Sequence, residues 1–83
     1  MMKNPALNNA ILKILARVDC GLKEKTLMSE TELAMDRHDL TTDEFRDALL
    51  FLEDKALVDR WTNLAGDVVW GVTAMGRDAL KGL

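Results

Sequence analysis

The chain has 83 residues, 48% apolar and 30% charged, with a net charge of −3 and a pI near 5.0. That length makes one domain, 1–83, able to bury only about 60–65% of its unfolded surface, so packing partners would help it. The acidic balance excludes a molecule that draws phosphate by overall charge, and no run of ~18 apolar residues offers a membrane span. No basic-then-apolar leader is read at the N-terminus. The single Cys20 permits no internal disulfide, which points to a reducing, cytoplasmic setting.

Residues 1–3 read as a loose tail. Asn4-Pro5 opens a helix, because Asn caps and Pro presets φ where no N–H is needed. Leu7, Ile11, Ile14, Leu15 and Val18 form its apolar stripe, with Asn8, Asn9, Lys13 and Arg17 on the other side and Leu12 at the stripe's edge. The helix should stop near Cys20-Gly21. Residues 22–28 make a connector, with 26–28 a candidate short strand.

Two capping boxes follow, Ser29 with Glu32 and Thr41 with Glu44. They predict helices over about 30–37, burying Leu33 and Ala34, and about 42–55, burying Phe45, Ala48, Leu49 and Leu52 at i, i+3, i+4 and i+7. Leu40 is expected in the core at the turn between them. Strands at 57–62 and 68–73 flank a hairpin loop at 63–67 that contains Gly66. Centring that loop on Ala65-Gly66 sets Trp61 opposite Trp70, and centring it on Gly66-Asp67 sets Trp61 opposite Val72. Thr73 caps a last short helix from Ala74 to about Lys81. The fold class is α+β and mostly helical: a three-helix core with a helix-turn-helix at about 29–55, a hairpin at about 57–73 and a short last helix.

Three pieces of this pattern resemble winged helix-turn-helix transcription regulators. Glu32-Leu33-Ala34 looks like the ELA of the first motif helix. LLFLEDKALV at 49–58 looks like the L-x-x-L-E-x-K-G-L-V junction between recognition helix and wing. WGVTAMGRDAL at 70–80 resembles the third strand and the start of the next helix. Ala56 departs from the family's usual Gly, at about 1 kcal/mol if it turns left-handed. The resemblance implies a small DNA-binding regulator without catalysis, contacting double-stranded DNA through Thr42 and Arg46, with Lys25, Arg37 and Arg60 on the backbone.

Charge argues for a second function. Between residues 29 and 54 nine carboxylates stand against Arg37 and Arg46, a net of −7 that leaves +4 for the remainder. DNA affinity comes mainly from neutralised phosphates, and this unit repels them. The alternative is a protein-interaction module whose acidic face at Asp43 and Asp47 docks a basic partner, or whose Leu50 and Phe51 dock an apolar one. Off-stripe Leu12, Leu50, Phe51, Leu64 and Leu83 point to a homodimer or a protein partner. Cys20 and His38 sit at two helix ends without an orienting motif and read as structural. No metal or nucleotide motif is present, so neither cofactor, metal, catalytic residue nor small-molecule substrate is expected. The two tryptophans read as hairpin packing rather than a base-stacking platform.

Overall fold

The computed structural model describes residues 4–82; the expectations for residues 1–3 and for Leu83 lie outside them. In chain order the elements are α1 (Pro5–Ala16), β1 (Leu22–Lys23), α2 (Glu24–Met35), α3 (Thr42–Asp54), β2 (Val58–Thr62), β3 (Val68–Val72) and α4 (Ala74–Lys81). The strands form one antiparallel sheet in the order β1-β3-β2.

α1 begins as its sequence predicts: the Asn4 side chain accepts from Leu7 N at 3.1 Å, and Pro5 follows. It is buried on a wider face than a single stripe. Leu7, Ile11, Leu12, Ile14 and Leu15 are all in the core, because α2, α3, α4 and β3 pack around it. Two assignments change as a result. Leu12 is core rather than edge, and Asn8 is 3% exposed rather than outward. The helix also ends early, with Arg17 as its C-cap. Gly21 instead lies just before β1 with φ +78°, a conformation open to glycine at little steric cost.

The largest departure from sequence expectation is α2. It starts at Glu24, after an extended Lys23 that makes no side-chain cap, so Ser29 lies inside the helix and residues 26–28 are helical rather than strand. Starting there turns Leu27 and Thr31 inward, both 0% exposed, and leaves Leu33 75% exposed with Ala34 also outside. Packing of one face outweighs a local capping signal. Thr31 Oγ1 donates to the Leu27 carbonyl at 2.7 Å, which satisfies the buried hydroxyl. A left-handed Asp36, φ 52°, ends the helix.

α3 agrees with its sequence. Thr41 Oγ1 accepts from Glu44 N at 3.0 Å, and Phe45, Ala48, Leu49 and Leu52 are buried with Leu40. Only half of the capping box forms, because the Glu44 carboxylate turns to Arg37 instead. Phe51 is half-buried against the core, with the Lys55 ammonium 5.6 Å from its ring centroid. After α3, Ala56 takes φ 60°, the left-handed turn that the Ala-for-Gly departure anticipates. Thr73 then ties back to this turn, donating from Oγ1 to the Ala56 carbonyl at 2.7 Å, and its oxygen also accepts from Gly76 N to cap α4.

The hairpin register is neither of the two expected. Trp61 pairs with Val69 and Arg60 with Trp70, because Asn63 builds the loop. Its side chain accepts from Ala65 N and Asp67 N, both at 3.0 Å, while its N–H donates to the Asp67 carbonyl. The two indoles therefore occupy opposite faces of the sheet. Trp70 is 1% exposed within the core. Trp61 lies over Gly21 and Gly71, where an added Cβ at either position would come 2.8 Å from its ring.

Candidate nucleic-acid and partner interface

The outward face of α3 carries Thr42, Asp43, Arg46, Asp47, Leu50 and Asp54, all exposed. The β2–β3 wing follows α3 in the chain, β2 packs against that helix, and Leu64 is fully exposed at the wing's tip. Extending the first motif helix back to Glu24 adds one acid and one base, Glu24 and Lys25. Residues 24–54 then hold ten carboxylates against three bases, again −7.

What the sequence does not display is how the bases are held. Arg46 Nη2 lies 2.7 Å from Glu24 Oε2, while the other Glu24 oxygen accepts from Trp70 Nε1 at 3.0 Å. Partial burial pushes the Glu24 carboxyl up. The hydrogen bonds from Arg46 and Trp70 and the charges of Arg46 and Arg60 more than offset this, leaving it below its ordinary value. Glu24 in turn raises the Arg46 guanidinium.

Arg37 is held more completely. Its Nη1 and Nη2 fork onto Glu44 at 3.0 and 2.9 Å, and its Nε donates to Asp39 at 2.9 Å. Bidentate geometry of this kind is the strong form of a charge-assisted contact. Hydrogen bonding to Arg37 lowers both Glu44 and Asp39 and raises Arg37. Asn4 Nδ2 reaches Glu44 Oε2 at 3.4 Å, so the network ties the α2–α3 turn to the start of α1.

Arg60 pairs with Glu53 at 3.0 Å, with its guanidinium carbon 5.4 Å from the Trp70 ring centroid. Lys23 pairs with Asp67 at 3.2 Å. Of the five residues assigned to DNA, Lys25 and Thr42 are exposed with no ion pair or side-chain hydrogen bond among the described residues, while Arg37, Arg46 and Arg60 each have an acidic partner. Asp43, Asp47 and Leu50 share the outward face of α3, and Phe51 lies behind them against the core.

Two residues that matter here escaped the sequence reading. Glu24 carries no motif and shows itself only through its partners. Asn8 was legible in principle: once Leu12 joins the core, the buried arc of α1 widens enough to include a residue four positions before it. Cys20 is exposed, and its thiol approaches only the Gly21 carbonyl, at 3.8 Å. Among the described residues no group of three His, Cys, Asp or Glu gathers to hold a metal ion, and no helix is long and apolar enough to cross a membrane.

No protein-family model matches the chain, and no curated protein does. Solved structures do. A MarR-family transcriptional regulator from Silicibacter pomeroyi superposes with a TM-score of 0.77 at 22% identity, over 93% of this chain and 47% of that one. The PcaV transcriptional regulator from Streptomyces coelicolor gives 0.75 at 17% identity, over 96% and 51%. A mutant of MepR from S. aureus, bound to an oligodeoxyribonucleotide, gives 0.69 at 19% identity, over 94% and 53%. The chain thus spans about half the length of these structures. By element order, by sheet topology and by these superpositions, its fold is the winged helix-turn-helix.

Proposed function

We propose that this chain is a small, non-enzymatic winged-helix transcription regulator that binds double-stranded DNA and acts as a dimer. In this reading Thr42 and Arg46, on the outward face of α3, reach base edges and Lys25 and Arg60 take phosphates, while Arg37, held by Glu44 and Asp39, braces the α2–α3 turn instead of the phosphate contact expected from sequence. One observation carries it: an exposed helix beside a wing, on a fold shared with a protein solved on an oligodeoxyribonucleotide. The ion pairs that hold Arg46 and Arg60 are surface pairs with more than half of each arginine side chain exposed. Such pairs are weak and salt-screened, so phosphate can compete for these arginines. Exposed Leu33, Leu64 and Met75 supply apolar surface for a second protomer.

The test is fluorescence anisotropy with a labelled generic duplex at low and near-physiological salt. Micromolar binding that weakens with salt at a log–log slope of several units supports phosphate contacts. Indifference to the duplex at low salt refutes the reading. Sedimentation velocity decides the dimer.

A second reading has its own observation. With Arg37, Arg46 and Arg60 neutralised by internal carboxylates, the outward face of α3 presents Asp43, Asp47 and Asp54 beside Leu50. That surface suits a basic or apolar protein partner. It predicts that Asp43→Lys with Asp47→Lys abolishes partner binding while the fold persists; a double mutant that binds normally removes it.

A further inference from the structure

Where the first turns of α1 meet α3, the apolar Leu7, Ala48, Leu50 and Phe51 line a groove of about 580 Å³ together with the polar Asn4, Asn8, Glu44 and Asp47. Asn8 is 3% exposed, yet its carboxamide makes no side-chain hydrogen bond among the described residues. Among the described residues no side-chain nitrogen or oxygen fully removed from solvent lacks a partner, so the Asn8 amide keeps a narrow exposure, and Asn8 lines the groove. Solvent reaches that carboxamide through the groove, and an occupant that replaces it must match the hydrogen bonds it displaces.

The charges around the groove have one sign. Both Glu44 oxygens are held by Arg37. Asp47 has no ion pair among the described residues, and no Lys or Arg lines the groove. Of its lining residues, Asp47 and Leu50 are exposed, so the groove is open along one side. A small ligand there would leave much of its own surface wet, whereas ligand sites bury most of theirs. A segment of a folded partner covers that side with its own chain. The Asn8 carboxamide, a donor and an acceptor together, also matches a peptide group.

We propose that this groove docks a segment of a partner protein. The segment inserts one large apolar side chain among Leu7, Leu50 and Phe51, offers a backbone amide to Asn8, and sets a Lys or Arg against Asp47. The proposal deepens the protein-docking reading and rests on it.

The test pans a displayed library of random short peptides on the full chain and titrates the enriched synthetic peptide into labelled protein by NMR. Enriched sequences should carry Trp, Phe or Leu within a few positions of Lys or Arg, and shifts should cluster at Leu7, Asn8, Asp47 and Phe51. Asp47→Lys and Asn8→Leu should each weaken binding about tenfold or more. Asn8→Leu should unfold at no lower temperature than the parent, since its amide has no side-chain hydrogen bond to lose among the described residues. Peptides that bind Asn8→Leu undiminished and map to Asp43 and Asp54 overturn the groove while the docking reading survives. Failure to enrich any sequence removes both. Binding that appears only after residues 1–3 are deleted assigns the groove to the chain's own N-terminus and overturns a partner segment.

Discussion

Replacing Glu24 by Gln separates the two functional readings of α3. In the native protein one Glu24 oxygen holds Arg46 at 2.7 Å and the other accepts from Trp70 Nε1 at 3.0 Å. Glutamine retains a carbonyl oxygen for the indole and removes only the charge, so the tie between α2 and the sheet survives while the guanidinium is released. The net charge of residues 24–54 moves from −7 to −6. If Arg46 then meets a phosphate or a base edge, DNA affinity at low salt should rise about two- to fivefold, the range set by weak exposed ion pairs. Each new phosphate contact should steepen the log–log salt dependence by about 0.9. Anisotropy across a salt series on wild type, Glu24→Gln and the double mutant Glu24→Gln with Arg46→Ala reads this directly, with circular dichroism checking the fold. The gain should vanish in the double mutant. If both variants bind the duplex with equal affinity and equal slope, Arg46 does not touch DNA and the DNA reading of α3 fails.

Three further predictions concern the fold. Ala56→Gly should raise the unfolding free energy by about 0.5–1 kcal/mol, because Gly relieves the left-handed strain and loses part of that gain to unfolded-state entropy; chemical denaturation measures it, and a loss of stability would contradict the φ of 60°. Leu27→Ala should cost about 2–5 kcal/mol and Leu33→Ala less than about 0.5 kcal/mol, since Leu27 is fully buried and Leu33 is 75% exposed; the opposite ranking in a urea titration would restore a helix beginning at Ser29. Glu24, Glu44 and Asp39 all sit below their ordinary values when folded, so their contribution is present above the unfolded values, 4.5 for Glu, and is lost as pH falls through the folded ones. The thermal midpoint should therefore hold from neutrality to about pH 5 and then fall, with a shallower acid limb in Glu24→Gln combined with Glu44→Gln.

The parts of the fold that could be read from sequence are those where periodicity and capping agree. In α3 the Thr41 cap, the Phe45–Leu52 stripe and the left-handed Ala56 all point to one helix with one buried face. α4 is similar, because Thr73 has no competing role nearby other than its bond to the Ala56 carbonyl. α2 misled because its buried face is narrow. Leu27 and Thr31 are its only fully buried residues, and Thr31 is not an apolar signal. Ser29 and Glu32 meanwhile satisfy a capping pattern that the packed chain does not use. The wing failed differently: its strands were legible, but one residue of register decides which face each tryptophan takes, and that depends on how the Asn63 side chain folds the loop.

Charge is where reading a sequence and reading a structure diverge most. A count of carboxylates and arginines gives the same −7 for residues 29–54 and for residues 24–54, yet the count does not say which charges are free. Arg37 spends its fork on Glu44 and Asp39, and Arg46 and Arg60 each face a carboxylate from another element. The consequence differs among them. Arg37 is largely covered, with 24% of its side chain exposed, and its bonds fix the α2–α3 turn against α1; moving it to a phosphate would dismantle that corner. Arg46 and Arg60 keep 56% and 51% exposure, so exchanging a carboxylate for a phosphate costs them little rearrangement. On the proposed DNA reading the five residues are therefore unequal: Arg46 and Arg60, with Lys25 and Thr42, are the ones left to meet DNA, whereas Arg37 acts first as a brace. Substituting Arg37 should register as lost stability before it registers as lost affinity.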